Sequence, residues 1–301
     1  MFTIPLLDGT SMLHRALHAA PPTLAADGAE VGAVLGLVSQ LVALMRKART
    51  GHWIMVFDAP GPCFRHRIDA SYKAGRPPPP PELTSQLELA VSVCGALGLL
   101  TLQVDDVEAD DVIATLTHLA RAEGHDTWVV SPDKDLLQLV RDEQPSTAIF
   151  HPQTRQRIDE AAVMDRLGVS PAQAVAYFAL TGDSSDNISG VKGVGPKAAQ
   201  ALISTFTSLD GVYAHLDDVP NLAVRGAKAL QRKLEDGREG AYLAQRLLCL
   251  RTDVTLDIHE GPLAASARWH GITPESRPLF DRLGDHQPLD KLEDVARRRG
   301  L

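Results

Sequence analysis

Residues 99–135 read LLTLQVDDVEADDVIATLTHLARAEGHDTWVVSPDKD. The apolar run Leu99 to Val104 has the length and composition of a buried strand, Ala109 to Ala122 has a helical pattern, and Thr127 to Ser131 returns to strand. Upstream, Phe2 to Leu7 and Trp53 to Phe57 read as two more strands, separated by an amphipathic helix over Val31 to Met45. Downstream, a short strand is expected near Ala148 to Phe150. Such β/α alternation predicts an α/β fold, a mostly parallel central sheet flanked by helices on both faces. The pattern then turns helical over Pro171 to Leu180, Lys197 to Thr205, Ala223 to Leu234 and Arg238 to Leu250. The expected division is an α/β domain over residues 1–170 and a helical region over 171–301.

The 301 residues are 44% hydrophobic and 23% charged, enough to bury one large core or two moderate ones. No apolar run approaches the roughly 20 residues of a membrane span. The start, MFTIPLLDGTSMLHRALHAA, carries Asp8 inside its apolar run and no basic segment before it, so neither a secretion signal nor a membrane location is expected. Cys63, Cys94 and Cys249 are odd in number and far apart, which fits reduced cytosolic thiols better than disulfides or a zinc site. The formal net charge of −8 argues against nucleic acid when taken alone.

The deficit is local. Residues 1–150 hold 11 basic and 18 acidic side chains, and the remainder 19 and 20. Within the acidic part, Arg46 to Arg76 contains seven Lys or Arg against Asp58 and Asp69 alone. From Pro60 to Glu82 the chain reads PGPCFRHRIDASYKAGRPPPPPE, and no sheet strand can pass through Pro77 to Pro81 because proline lacks the backbone donor. This segment is expected to leave the sheet. Its basic residues and Tyr72 favour a functional excursion over an inert linker.

Asp8 and Asp58 end the first two strands, and Asp133 and Asp135 follow the strand at Thr127. In a parallel sheet the carboxyl ends of strands face one crevice, so acids distant in sequence can converge there. Glu108, Asp110 and Asp111 open a helix at the same edge. Were the whole segment helical, Glu108 and Asp111 would share a face and Asp110 would point elsewhere, so convergence requires Glu108 to precede the first turn. Asp183 and Asp186, in LTGDSSDN, lie at i and i+3 and can address one centre. Acidic pairs at helix starts commonly serve as caps, but Asp8 and Asp58 end strands, where capping is not expected to apply. Nine carboxylates in one crevice cannot all ionise without cations, and oxygen-only ligation suits Mg²⁺ or Mn²⁺, with room for two ions.

Ile188 to Ala199, ISGVKGVGPKAA, places Gly193 and Gly195 immediately before a helix with proline in its first turn. Glycine permits close backbone approach to a ligand, amides at a helix start favour phosphate, and Lys192 and Lys197 flank the turn. Apolar residues at helical spacing on both sides make this a helix-hairpin-helix candidate at about residues 185–205, reading backbone rather than bases. His14, His66 and His151 lack partners at metal-site spacing and read as surface or packing residues.

With acids, basic excursion and glycine hairpin in this order, the chain resembles the 5′ nuclease or flap endonuclease family, which includes the 5′-to-3′ exonuclease domains of bacterial DNA polymerase I. LLDGTSMLHRA, FDAPGPCFRH, YKAGRPPPP, VEADDVIATL, SPDKDLLQL and LTGDSSDNISGVKGVGPKAA carry the likeness, and RTDVTLD near Arg251 extends it. The resemblance implies that Asp8, Asp58, Glu108, Asp110, Asp111 and Asp133 gather mainly around a first metal, with Asp135, Asp183 and Asp186 towards a second. It implies two Mg²⁺ ions, replaceable by Mn²⁺, and a K⁺ at the hairpin.

By the same resemblance the excursion at about residues 60–82 is a helical arch over the active site. Tyr72 there stacks on an unpaired base, while Lys73 and Arg76 steer the scissile phosphate. Arg15 and Arg65 join the DNA-contacting set, and Lys192, Gly193, Gly195 and Lys197 grip the duplex. Ser189 stands where the family commonly has proline, and five consecutive prolines occupy the arch. The implied reaction is two-metal hydrolysis of DNA at 5′ ends and 5′ flaps, giving 5′-phosphate and 3′-hydroxyl ends. The implied setting is replication and repair by a monomer in the bacterial cytoplasm at the nucleoid, with RNA primers as a further substrate. A non-catalytic branched-DNA-binding module and an RNA-processing nuclease are the alternatives. Setting the nine acids aside leaves 29 against 30 basic residues, a balance of +1, so the acidity is concentrated where cations would sit.

Overall fold

A computed structural model describes residues 2–19, 21–258 and 261–301. Six strands, β1 (Thr3–Asp8), β2 (Ile54–Asp58), β3 (Leu100–Val104), β4 (Asp126–Val130), β5 (Thr147–His151) and β6 (Gln156–Ile158), form one sheet in the order β3-β2-β1-β4-β5-β6. The first five are parallel, and β6 returns antiparallel to β5. The sequence pattern does not reveal β6, whose three residues, Gln-Arg-Ile, are two-thirds polar and sit at the sheet edge. Leu6 pairs in register with Ile54 on one side and Val129 on the other, so β1 is central and nearly all of it is buried. A strand buried on both faces must be apolar throughout, which is why it reads as a continuous run.

The helices are α1 (Gly9–Ala19), α2 (Gly32–Lys47), α3 (Phe64–Ile68), α4 (Pro81–Ala96), α5 (Ala109–Ala122), α6 (Glu160–Leu167) and α7 (Ala174–Thr181). They continue as α8 (Pro196–Phe206), α9 (Leu209–Ala214), α10 (Ala227–Asp236), α11 (Arg238–Leu248), α12 (Leu263–Ala267), α13 (Ser276–Leu283) and α14 (Gln287–Arg298). The expected helix from Pro171 begins instead as a 3₁₀ turn, Pro171–Gln173, before α7. That expected from Ala223 starts at α10, because Gly226 turns the chain with φ of 80°. Among the described residues no helix is long and apolar enough to cross a membrane, and all three cysteines are free thiols.

Three apolar clusters divide the molecule. α1, α2 and α4 cover one sheet face, α5 and α12 cover the other, and α7 to α11 enclose a third cluster. The expected single helical region over 171–301 is corrected here. Phe280, Leu283, Leu289 and Leu292 of α13 and α14 are fully buried in the first cluster beside Val34, Leu37 and Leu41 of α2. Trp269 Nε1 also donates to the Leu97 carbonyl at 2.8 Å. Leu250, Val254, Leu263 and Ala267 are buried in the second cluster against the sheet, so residues from about 250 onward complete the α/β core, and the amphipathic pattern alone could not say which core they would join.

The proline-rich excursion leaves the sheet as expected. It contributes α3, a turn, extended prolines, and Pro81 as the first residue of α4, where its missing N–H costs no hydrogen bond. It does not stand free, because Cys63 and Tyr72 are buried in the third cluster.

Candidate active site

The carboxyl edge of the sheet gathers the acids. Strand order reverses at β1, with β2 on one side and β4 on the other, and the crevice at such a switch point is where parallel sheets bind ligands. Asp8 ends β1, Asp58 ends β2, and Asp133 follows β4. With Glu108 and Asp110 they line a cleft of about 620 Å³. Asp8 accepts from Ser131 Oγ at 2.7 Å and from the Ser11 amide at 2.9 Å. Asp58 accepts from the Ala109 amide at 2.8 Å. Both carboxylates thus meet helix starts, those of α1 and α5, contrary to the expectation that capping does not apply to them.

Glu108 is the N-cap of α5 in an extended conformation (φ −94°, ψ 158°), so it precedes the first turn and shares the cleft with Asp110. Asp111 then points the other way. It is fully buried and takes two bonds from Arg65, at 2.6 and 2.8 Å, besides amides of Glu108 and Arg251. The proposed metal ligation by Asp111 is therefore corrected: its oxygens face the body of the protein. Arg65 is corrected with it. At 1% exposure, its guanidinium is spent on Asp111, on Glu108 at 2.9 Å and on the Leu247 carbonyl at 2.7 Å, leaving nothing for DNA.

A second acidic group lies beside the cleft. One carboxylate oxygen from each of Asp135, Asp183 and Asp186 lies within 4.8 Å of the others. Asp183 and Asp186 sit on a loop closed by reciprocal 2.8 Å backbone bonds between Asp183 and Ile188. Asp135 Oδ1 and Asp183 Oδ2 are buried with no hydrogen-bond partner among the described residues. Orphaned anionic oxygens are costly, and a hard divalent cation satisfies them. The donor set, all carboxylate, fits such an ion.

The electrostatics agree. Burial raises Asp8 to about 6 against its hydrogen bonds to Ser131 and Ser11. Asp135 is raised to about 8, first by burial and then by Asp133, Asp183 and Asp186. Asp110 is driven well up by burial and by the charges of Asp133, Asp8 and Asp58, and Asp133 is raised chiefly by burial. Asp183 differs: burial opposes it, but Lys134 and Ser185 outweigh burial and hold it below the usual carboxylate range. Lys134 and Ser131 were missed as site residues, although both stand in the SPDKD stretch between acids already singled out.

Lys73 pairs with Glu108 and lies 3.5 Å from Asp186, and Arg76 pairs with Asp186. Tyr72 is only 4% exposed, and its hydroxyl lies 2.8 Å from a Glu108 carboxylate oxygen and 3.0 Å from one of Asp186, which share its single proton. Stacking of Tyr72 on an unpaired base is therefore not available in this conformation, because the ring is packed in the third cluster. Arg15 lines the cleft, and its NH1 is buried with no partner among the described residues. His14 also lines the cleft, whereas His66 packs edge-on against Tyr72 and His151 accepts from the Thr154 amide.

The glycine loop lies between α7 and α8. Gly193 has φ of 81° and Gly195 caps α8, while Lys192 and Lys197 are exposed. A side chain at Gly193 would also meet Lys233, whose ammonium donates to the Gly193 carbonyl at 3.0 Å.

Residues 3–168 match the N-terminal resolvase-like domain of the 5′-3′ exonucleases, and residues 169–268 match their C-terminal SAM fold. The chain belongs to the 5′-3′ exonuclease family. The matched span contains every acid discussed above. The chain is 32% identical to a 5′-3′ exonuclease of Aquifex aeolicus, covering 98% of this chain and 96% of that one. It is 42% identical to DNA polymerase I of Pseudomonas aeruginosa over 84% of this chain, but spans only 28% of that protein's length. Among solved structures, T5 5′-exonuclease bound to zinc shares the fold at a TM-score of 0.68 and 19% identity, covering 97% of this chain and 98% of that chain. A flap endonuclease-1 from Methanococcus jannaschii does so at 0.59 and 18%, covering 99% and 93%.

Proposed function

We propose that this 5′-3′ exonuclease hydrolyses DNA phosphodiesters at 5′ ends and 5′ flaps. The observation that carries the reading is the convergence of carboxylates from five separate segments beside buried, unpartnered carboxylate oxygens. Asp8, Asp58, Glu108, Asp110 and Asp133 would hold one divalent ion, and Asp135, Asp183 and Asp186 another, with Mg²⁺ the expected species and Mn²⁺ a substitute. Bound there, such ions supply an activated water and neutralise charge on the attacking and leaving oxygens.

The chain's own residues orient the substrate. Arg15 has a buried NH1 in the cleft without a partner among the described residues, suited to a phosphate oxygen. Lys73 and Arg76 stand over the carboxylates and can exchange those contacts for the scissile phosphate when DNA enters. Lys192, Lys197 and the amides around Gly193 and Gly195 grip the duplex backbone as a helix-hairpin-helix, with K⁺ as its ion, so binding is independent of sequence. The protein works as a monomer in the bacterial cytoplasm at the nucleoid, on DNA and on RNA primers.

Incubation of an end-labelled 5′-flap duplex with Mg²⁺ tests the reading. Products with 5′-phosphate and 3′-hydroxyl ends, abolished by EDTA, are expected. Flap binding without cleavage at any metal concentration supports a non-catalytic branched-DNA module instead, and preferential cutting of the RNA equivalent supports an RNA-processing nuclease.

A further inference from the structure

The loop carrying Asp183 and Asp186 also grips the excursion. Lys73 N donates to the Asp186 carbonyl at 2.9 Å, and Arg76 Nε donates to the Ser185 carbonyl at 3.0 Å. Asn187 Nδ2 donates to the Ser71 carbonyl at 2.7 Å. Three consecutive residues of the acidic loop therefore hold three points of the six-residue turn that presents Tyr72, Lys73 and Arg76.

The backbone shows why the turn needs holding. Lys73 has φ of 56°, a left-handed conformation disfavoured for a side chain with a Cβ, and it persists only where neighbours over-determine it. The constraint lies on both sides: the Ser71 carbonyl accepts from Asn187 Nδ2 as well as from the turn's own Ala74 amide, and the Lys73 amide donates to the Asp186 carbonyl. Asn187 itself has φ of 57°, which asparagine tolerates better than most residues. With the turn so fixed, the Lys73 ammonium reaches Glu108 and Asp186, between the two groups of acids.

We infer that Asn187 is a positioning residue. Its side-chain amide clamps Ser71, and the clamp sets the left-handed turn that places Lys73 over the carboxylates. The inference rests on the nuclease reading for its kinetic consequence but not for its structural one.

Asn187→Gly keeps the left-handed backbone and deletes the amide. The expected result is a three- to tenfold fall in kcat on the 5′-flap duplex, the rate equivalent of one hydrogen bond, with KM unchanged within about twofold. In a Lys73→Ala background the same substitution should have no further effect. Trypsin cleavage after Lys73 in the DNA-free protein should accelerate severalfold in Asn187→Gly, at an unchanged thermal midpoint. Asn187→Asp, which turns an acceptor towards the Ser71 carbonyl, should be at least as impaired. An Asn187→Gly protein that keeps wild-type kcat and wild-type trypsin sensitivity, or whose loss simply multiplies with that of Lys73→Ala, overturns the inference. A wild-type chain that does not cut defeats the nuclease reading alone, and the trypsin comparison then still decides the clamp.

Discussion

Replacing Arg65 by alanine would strand a carboxylate inside the protein. Arg65 and Asp111 are 1% and 0% exposed and share two bonds, and the same guanidinium reaches Glu108 and the carbonyls of Leu247 and Cys249. It therefore ties α3 to α5 and to the C-terminal end of α11. Burial disfavours the charged guanidinium, but Asp111 and Glu108 outweigh burial and hold it ionised. Removing one partner of a buried ion pair costs about 3–5 kcal/mol, because the other charge is left without compensation. Asp111 keeps the amides of Glu108 and Arg251 in the variant, which points to the lower end of that range. With a urea slope of about 3 kcal/mol per molar, Arg65→Ala should lower the unfolding midpoint by about 1 M. Arg65→Met combined with Asp111→Leu should regain only part of it, since apolar replacement removes the stranded charge but leaves the Glu108 and Arg251 amides without their acceptor. Urea titration followed by circular dichroism gives the answer. An unchanged midpoint together with weakened flap binding would refute this account and restore Arg65 as a DNA contact.

Asp110→Ala should abolish cleavage of the flap duplex while leaving binding measurable by fluorescence anisotropy; normal cutting defeats the metal-ligand assignment. The raised Asp8 and Asp135, at about 6 and about 8 against an ordinary 3.8, favour the folded state in their protonated forms. That stability is whole below about pH 3.8 and is lost as pH rises through each raised value, whereas the contribution of Asp183 is whole above about 3.8 and is lost as pH falls below it. Because cations bind the ionised carboxylates, Mg²⁺ should raise the thermal midpoint more at pH 8 than at pH 5.5, and equal shifts at both would sink the argument. Phe280→Ala should destabilise the α/β domain by about 3–5 kcal/mol, the cost of a cavity in a closed core. A loss below about 1 kcal/mol in urea titration would show that α13 is not part of that core.

The sheet was legible because its central strands are buried on both faces, so Ile4, Leu6, Ile54 and Val56 had to be apolar and stood out as runs. The acids were legible for a related reason: a charged residue directly after such a run has to lie at the sheet's edge. What periodicity could not give was orientation. Asp110 and Asp111 are adjacent and chemically alike, yet one lines the cleft and the other faces Arg65, because Glu108 takes an extended conformation before the helix begins. Arg65 and Tyr72 read as DNA contacts by family resemblance, and only the packing of the excursion against α5 and the helical cluster buries them. Likewise α13 and α14 are amphipathic, a property that says a helix has a buried face but not which surface will cover it. The sequence by itself thus determined the α/β order, the carboxylate edge and the glycine loop, since each is written in residues adjacent along the chain. The tertiary structure decided which carboxylates face the cleft and which cations they meet, because those choices depend on contacts between segments 35 or more residues apart.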